Sequence, residues 1–138
     1  MTHIKSHILF VFFPLLFAAC APAPGSELTG TSWRLVSLDG NAQVGAALGS
    51  QSVTLIFSSD TEAGGSGGCN SFGGSYEANA STGTISFSEL VSTLIACEEP
   101  IMSVETAYFE ALNAAQTYNI SGTRMTIRGG GTLVFERQ

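Results

Sequence analysis

The chain is predicted to fold as one mainly β domain that packs a single α-helix, an α+β arrangement built on antiparallel strands. Three observations carry this. Short stretches of alternating apolar and polar residues recur, bounded by Gly, Asn or Asp. Only the segment after Pro100 changes to helical spacing. Roughly 110 residues remain after an apolar start and a Pro-rich stretch, enough for a single core that buries about two-thirds of its unfolded surface.

Residues 31–39 (TSWRLVSLD) have strand character, with Trp33 and Leu35 on one face and Arg34 and Val36 on the other. Asp39, Gly40 and Asn41 turn the chain. Residues 52–58 (SVTLIFS) alternate and place Val53, Leu55 and Phe57 together. A glycine-rich connection, residues 64–68, leads into CNSFGGSY, where Phe72 and Tyr76 share a strand face. Residues 79–83 form a turn and residues 84–88 (TISFS) another short strand. Pro100 suits the first turn of a helix, where a missing N–H costs nothing. Over residues 101–117, Ile101, Val104, Tyr108, Leu112 and Ala115 recur at helical spacing. Two final strands, residues 123–128 and 132–136, are joined by Gly129, Gly130 and Gly131. No internal repeat is evident, and no second domain fits.

The start of the chain is expected to be a leader. Residues 8–19 (ILFVFFPLLFAA) are about a dozen mostly apolar residues, interrupted by Pro14 and too few to span a bilayer as a helix. Lys5 ahead of them is the only firm positive charge. Phe17, Ala18, Ala19 and Cys20 resemble a lipobox, which predicts a lipoprotein signal peptide over residues 1–19 and acylation of Cys20. Plain secretion is the competing reading, but cleavage after Ala21 or Ala23 would leave Pro22 or Pro24 beside the cut. Residues 20–27 read as the acylated cysteine and a flexible tether, and residues 28–138 as the domain. Ala21, in the place where Asp would retain a lipoprotein at the inner membrane, resembles the sequences sent on to the outer membrane. The expectation is therefore an outer-membrane, lipid-anchored protein facing the periplasm.

Composition then excludes chemistries. His3, His7 and Lys5 lie in the leader, so its loss leaves no histidine or lysine, and arginine is the only base against 11 acidic residues. Nucleic acid binding is not expected, because no basic stripe can release phosphate counterions. With Cys20 lipidated, Cys69 and Cys97 form an even pair in an oxidising compartment, and a disulfide is predicted. Closing that loop contributes about 3–4 kcal/mol on the chain-entropy account. Two cysteines without histidine make a poor zinc site, and no loop carries the alternating ligands of a calcium-binding hand. No metal and no cofactor are predicted.

Catalysis is equally hard to assemble. A serine nucleophile lacks a base, and paired cysteines lack thiolates. Carboxylate chemistry is the remaining route, through Glu98, Glu99, Glu105 or Glu110, but an acid/base pair needs a carboxyl group buried in a cleft. Glu98 and Glu99 also fit as complements to the helix dipole. The glycine-rich stretch lacks the Gly-Lys-Ser/Thr of a phosphate loop, and its glycines suit positive backbone angles or close strand approach. Asn70 has two readings: a ligand contact, or a side chain that satisfies buried backbone groups. No catalytic residue is expected.

The order of blocks resembles a known family. LTGTSWRLVSLDG, then VTLIF, then GGCNSFGGSY, then a Ser/Thr-rich approach to Ala96 and Cys97, then a helix with Met102, Glu105 and Phe109, is similar to the META domain, whose bacterial members include HslJ-like heat-shock lipoproteins. The motif residues are Gly68, Cys69, Asn70, Phe72, Gly74 and Tyr76. The resemblance implies a small antiparallel β-barrel-like fold with one packed helix, an envelope location and a link to stress tolerance. It implies no catalytic residues. The expected function is non-catalytic binding in envelope integrity or stress tolerance, with an envelope protein as partner. The alternative is an inhibitor of a cationic envelope-directed enzyme, lysozyme or a protease, or a carrier of a small apolar ligand.

Overall fold

The computed structural model describes residues 27–41 and 44–138. The expected leader, Cys20 and residues 21–26 lie outside the described residues. The elements in chain order are β1 (Thr31–Leu38), α1 (Val44–Leu48), β2 (Thr54–Phe57), β3 (Glu62–Ser66), β4 (Ser71–Asn79), β5 (Thr84–Ser92), α2 (Ile101–Asn113), β6 (Thr117–Ser121), β7 (Arg124–Arg128) and β8 (Thr132–Arg137). Each strand pairs antiparallel with its neighbours in sequence, and β8 returns to β1, so the sheet is a closed eight-stranded barrel. Closure removes the exposed sheet edges that invite pairing with other chains.

Two-residue alternation fills the barrel. Trp33 and Leu35 of β1, Leu55 and Phe57 of β2, Tyr76 of β4, Phe87 of β5, Met125 and Ile127 of β7 and Leu133 and Phe135 of β8 are all buried. Burying each such side chain contributes roughly 1.5–3 kcal/mol. β2 marks the two mouths. Its first residue, Thr54, accepts a hydrogen bond from Tyr108 Oη of α2 at 3.2 Å. Its last, Phe57, accepts one from Gly30 N–H at 2.7 Å, beside the fully buried Leu28. Helix α2 therefore closes one end, and the turn before β1 closes the other.

Several expectations needed correction. Residues 64–68 are not simply a connection: Gly64 and Gly65 lie inside β3, which pairs with β2 and β4. A Cβ at Gly65 would stand 2.2 Å from Thr54 O, and one at Gly64 2.7 Å from Phe72 O, so only glycine lets these strands approach. The expected helix over residues 101–117 ends at Asn113. Gly130 N–H bonds to Ala114 O, and Gln116 N–H to Arg128 O, which draws the following residues into the barrel as β6. The predicted strand 84–88 continues to Ser92 through a bulge at Glu89, whose φ is 54°. Helix α1 was not foreseen. Pro100 precedes α2 as its N-cap residue rather than entering its first turn.

One seam is thin. β5 and β6 share a single residue pair, Thr84 with Thr117, supported by Tyr118 N–H to Gly83 O at 2.8 Å and Ile85 N–H to Gln116 O at 3.0 Å. Tyr118 also donates its hydroxyl to the Glu27 carboxylate. Its pKa rises because burial disfavours the phenolate and the Glu27 carboxylate opposes it. Burial alone raises Tyr108 well above its ordinary value. Burial also raises Tyr76, with a hydrogen bond to Thr29 acting against it and the Asp60 carboxylate adding to it.

These three are all the tyrosines in the chain. In the unfolded chain each ionises near 10.0, whereas the folded barrel keeps all three protonated above that pH. Above pH 10 the native state then binds more protons on these tyrosines than the unfolded state, so the stability they contribute is fully present below that pH and is lost as pH rises beyond it. In an alkaline titration, tyrosinate absorbance is expected to grow together with loss of the near-ultraviolet circular dichroism. Tyrosinate forming near pH 10 with the fold intact would contradict this.

Candidate functional site

The densest polar cluster is buried where the β3–β4 turn meets α2. In α2, Ile101, Val104, Tyr108 and Leu112 face the core at helical spacing, and Glu105 lies on the same face, only 4% exposed. No arginine pairs with it among the described residues. Its carboxylate instead accepts three N–H groups. Oε2 takes Cys69 N–H at 3.0 Å and Asn70 N–H at 2.6 Å, and Oε1 takes the Asn70 Nδ2 amide at 2.6 Å. Successive backbone N–H groups form an anion-binding concavity, and here the anion belongs to the protein itself.

Glycine makes that approach possible. A Cβ on Gly67 would fall 2.7 Å from Glu105 Oε2 and 2.8 Å from Phe109 Cζ. Gly68 has φ +111° and packs where a Cβ would lie 2.9 Å from Leu48 Cδ2.

Asn70 passes the cluster on to the loop between β5 and α2. Its Nδ2 also donates to Ile95 O at 3.0 Å, and its Oδ1 accepts from Thr93 Oγ1 at 2.8 Å and Ile95 N–H at 2.7 Å. The side chain thus uses both donor hydrogens and both acceptor positions. Of the two readings of Asn70, the structure supplies the second: it satisfies backbone groups.

Cys69 and Cys97 are joined by a disulfide with Cα atoms 6.0 Å apart, and Cys97 N–H donates to Met102 Sδ at 3.4 Å. Glu99 accepts from Ser103 N–H and Oγ at 3.2 and 2.6 Å, at the start of α2.

The motif residues divide into two groups. Gly68, Cys69 and Asn70 belong to this lock. Phe72, Gly74 and Tyr76 belong to the barrel wall. Phe72 packs edge-on to Tyr108 and Phe109, with ring centres at 5.8 and 5.3 Å. Gly74 faces the β5 bulge, where a Cβ would lie 2.8 Å from Ser88 O. Tyr76 meets Phe57 edge-on at 4.8 Å and donates to Ser59 O at 2.9 Å.

What the lock presents is apolar. Leu94 is 96% exposed and Ile95 59%, with Val91 beside them at 72%. Sequence reasoning missed this loop and the role of Glu105. The available signal was a carboxylate on the apolar stripe of a helix, three residues before Tyr108. Among the described residues no group of three His, Cys, Asp or Glu is placed to hold a metal ion.

The META domain profile matches residues 26–138. The chain belongs to the META domain family. A protein from Burkholderia xenovorans, solved by NMR, is 29% identical with a TM-score of 0.65, covering 93% of this chain and 99% of its own. A second NMR structure is 19% identical with a TM-score of 0.66, over 83% of this chain and 95% of that one. A DUF4847-family crystal structure from Bacteroides vulgatus is 15% identical with a TM-score of 0.58, over 79% and 93%. The last two are similar in fold alone. No curated protein matches the chain.

In this META domain the lock is expected to be costly to break. Glu105→Gln turns an amide N–H toward a donor and should lower unfolding free energy by about 1–3 kcal/mol in denaturant melts. Cys97→Ser should cost about 2–4 kcal/mol, and adding Cys69→Ser should cost no more. Two titratable thiols in the oxidised protein would refute the pairing.

Proposed function

We propose that this META domain protein is a non-catalytic, lipid-anchored protein of the outer membrane that faces the periplasm and serves envelope integrity or stress tolerance by binding another protein. One observation carries the binding role. The buried polar groups are spent on holding a loop whose apolar residues point into solvent. A catalytic cleft needs the reverse arrangement, with polar groups converging on an apolar recess. A rigid exposed apolar loop is what a partner surface can enclose.

The lipobox-like residues Phe17, Ala18, Ala19 and Cys20 support the anchor. Family membership supports the envelope setting. A carrier needs open space along the barrel axis, and Trp33, Phe57, Tyr76 and Phe135 fill it, so that alternative is dropped. The inhibitor alternative stays, because the same loop favours it.

Intact mass of the native protein is expected to show loss of residues 1–19 and acyl chains on Cys20. Cys20→Ser should move the protein from the membrane fraction to the soluble one. A retained leader or an unmodified terminus would refute the anchor. Crosslinking in cells should recover an envelope protein; recovering none under heat or antibiotic stress would refute the binding role.

A further inference from the structure

We propose that residues 92–97 form a substrate-like loop that occupies the cleft of a serine endopeptidase with an apolar specificity pocket, with Leu94 in that pocket. This rests on the binding role above and names its partner class. Leu94 is the most exposed large apolar side chain described. Its own N–H and C=O have no protein partner among the described residues, so both are free for the strand-like bonds a protease makes to its substrate.

The residues around it are fixed. Thr93 N–H donates to Ser71 O at 3.0 Å, and Thr93 Oγ1 bonds to Asn70. Asn70 holds both the N–H and the C=O of Ile95, and the disulfide ties Cys97 to Cys69. Among the described non-glycine residues only Asp39 and Glu89 have positive φ, so no residue from 90 to 98 takes the left-handed backbone conformation. A loop held in its bound shape loses little conformational entropy on docking.

Charge narrows the partner further. All four arginines lie on β1, β7 and β8, and no basic residue occurs between Arg34 and Arg124. Exposed Glu89, Glu98 and Glu99 flank the loop instead. An apolar tip with an acidic border suits an apolar pocket with a basic rim. The same border disfavours an anionic lipid surface.

The covalent step explains why such a loop inhibits instead of being consumed. Attack of the serine Oγ on the Leu94 carbonyl forms an ester and breaks the bond to the Ile95 nitrogen. The serine proton passes through the enzyme's histidine to that nitrogen, which becomes an amine. Here the amine does not diffuse away. Asn70 still holds Ile95, the disulfide holds Cys97, and pairing with β4 holds β5. The reverse attack, which re-forms the peptide bond and returns the proton to serine, therefore competes with hydrolysis.

The full-length protein in detergent is to be tested against chymotrypsin, with an apolar pocket, and trypsin, with an aspartate in its pocket. Chymotrypsin should lose activity at equimolar protein, and Leu94→Asp should weaken inhibition by about 100-fold. Leu94→Lys should transfer inhibition to trypsin. Since Leu94 is 96% exposed, its replacement should leave the core intact, and unchanged circular dichroism checks that the variants fold. No inhibition, rapid cleavage at residues 94–95, or equal inhibition by every variant would overturn the proposal. Crosslinking separates the two readings: a partner recovered equally with wild type and Leu94→Asp sinks the loop and spares the binding role. Recovering no partner, with chymotrypsin still inhibited, does the opposite.

Discussion

The structure depends on the buried carboxylate of Glu105. An ionised group out of water is costly unless hydrogen bonds replace its hydration. Here two backbone N–H groups and one amide N–H do so, and all three come from residues 35 or 36 positions earlier in the chain. Helix, turn and loop must therefore arrive together. A shift of α2 by one turn, or of the β3–β4 turn by one residue, would leave a charge with no partner. Apolar packing of Tyr108 and Leu112 tolerates small slips; this contact does not.

The barrel supplies the frame that brings these pieces within reach. Its walls come close together where side chains are missing: Gly64 against Phe72, Gly65 against Thr54, Gly74 against the Glu89 bulge. Close walls leave a narrow axis, and the aromatic and aliphatic residues that alternate along the strands occupy it. A filled axis moves function to the rim. There α2 shuts one mouth, and its connection to β5 is the loop that carries Leu94 and Ile95. The helix thus serves the core through Tyr108 and the surface through Glu105.

Much of this was legible in the sequence where a local rule applied. Alternation exposed β1, β2, β4, β7 and β8, because each strand has one wet and one dry face. The cysteine pair followed from an expected oxidising compartment and an even count. β3 was hidden, since two of its five residues are glycine and carry no side chain to alternate. β6 went unassigned: the helical reading ran to Thr117, its first residue, because Ala115 continues the apolar spacing beyond the point where α2 ends, and no strand was placed over the rest. That end is set from outside the segment, by Gly129, where any Cβ would strike Ala114 O.

By itself the sequence determined the period of each strand, the helical stripe from Ile101 to Leu112, the pairing of Cys69 with Cys97, and the absence of lysine and histidine after residue 7. These are local or compositional properties, set by neighbours a few residues apart or by counts. Tertiary structure alone decided that Asn70 and Glu105 share hydrogen bonds, that β8 closes on β1, and that Leu94 stands free. Each of those joins or separates residues distant along the chain. A hydrogen bond depends on position in space, and sequence spacing sets such positions only after the barrel has closed.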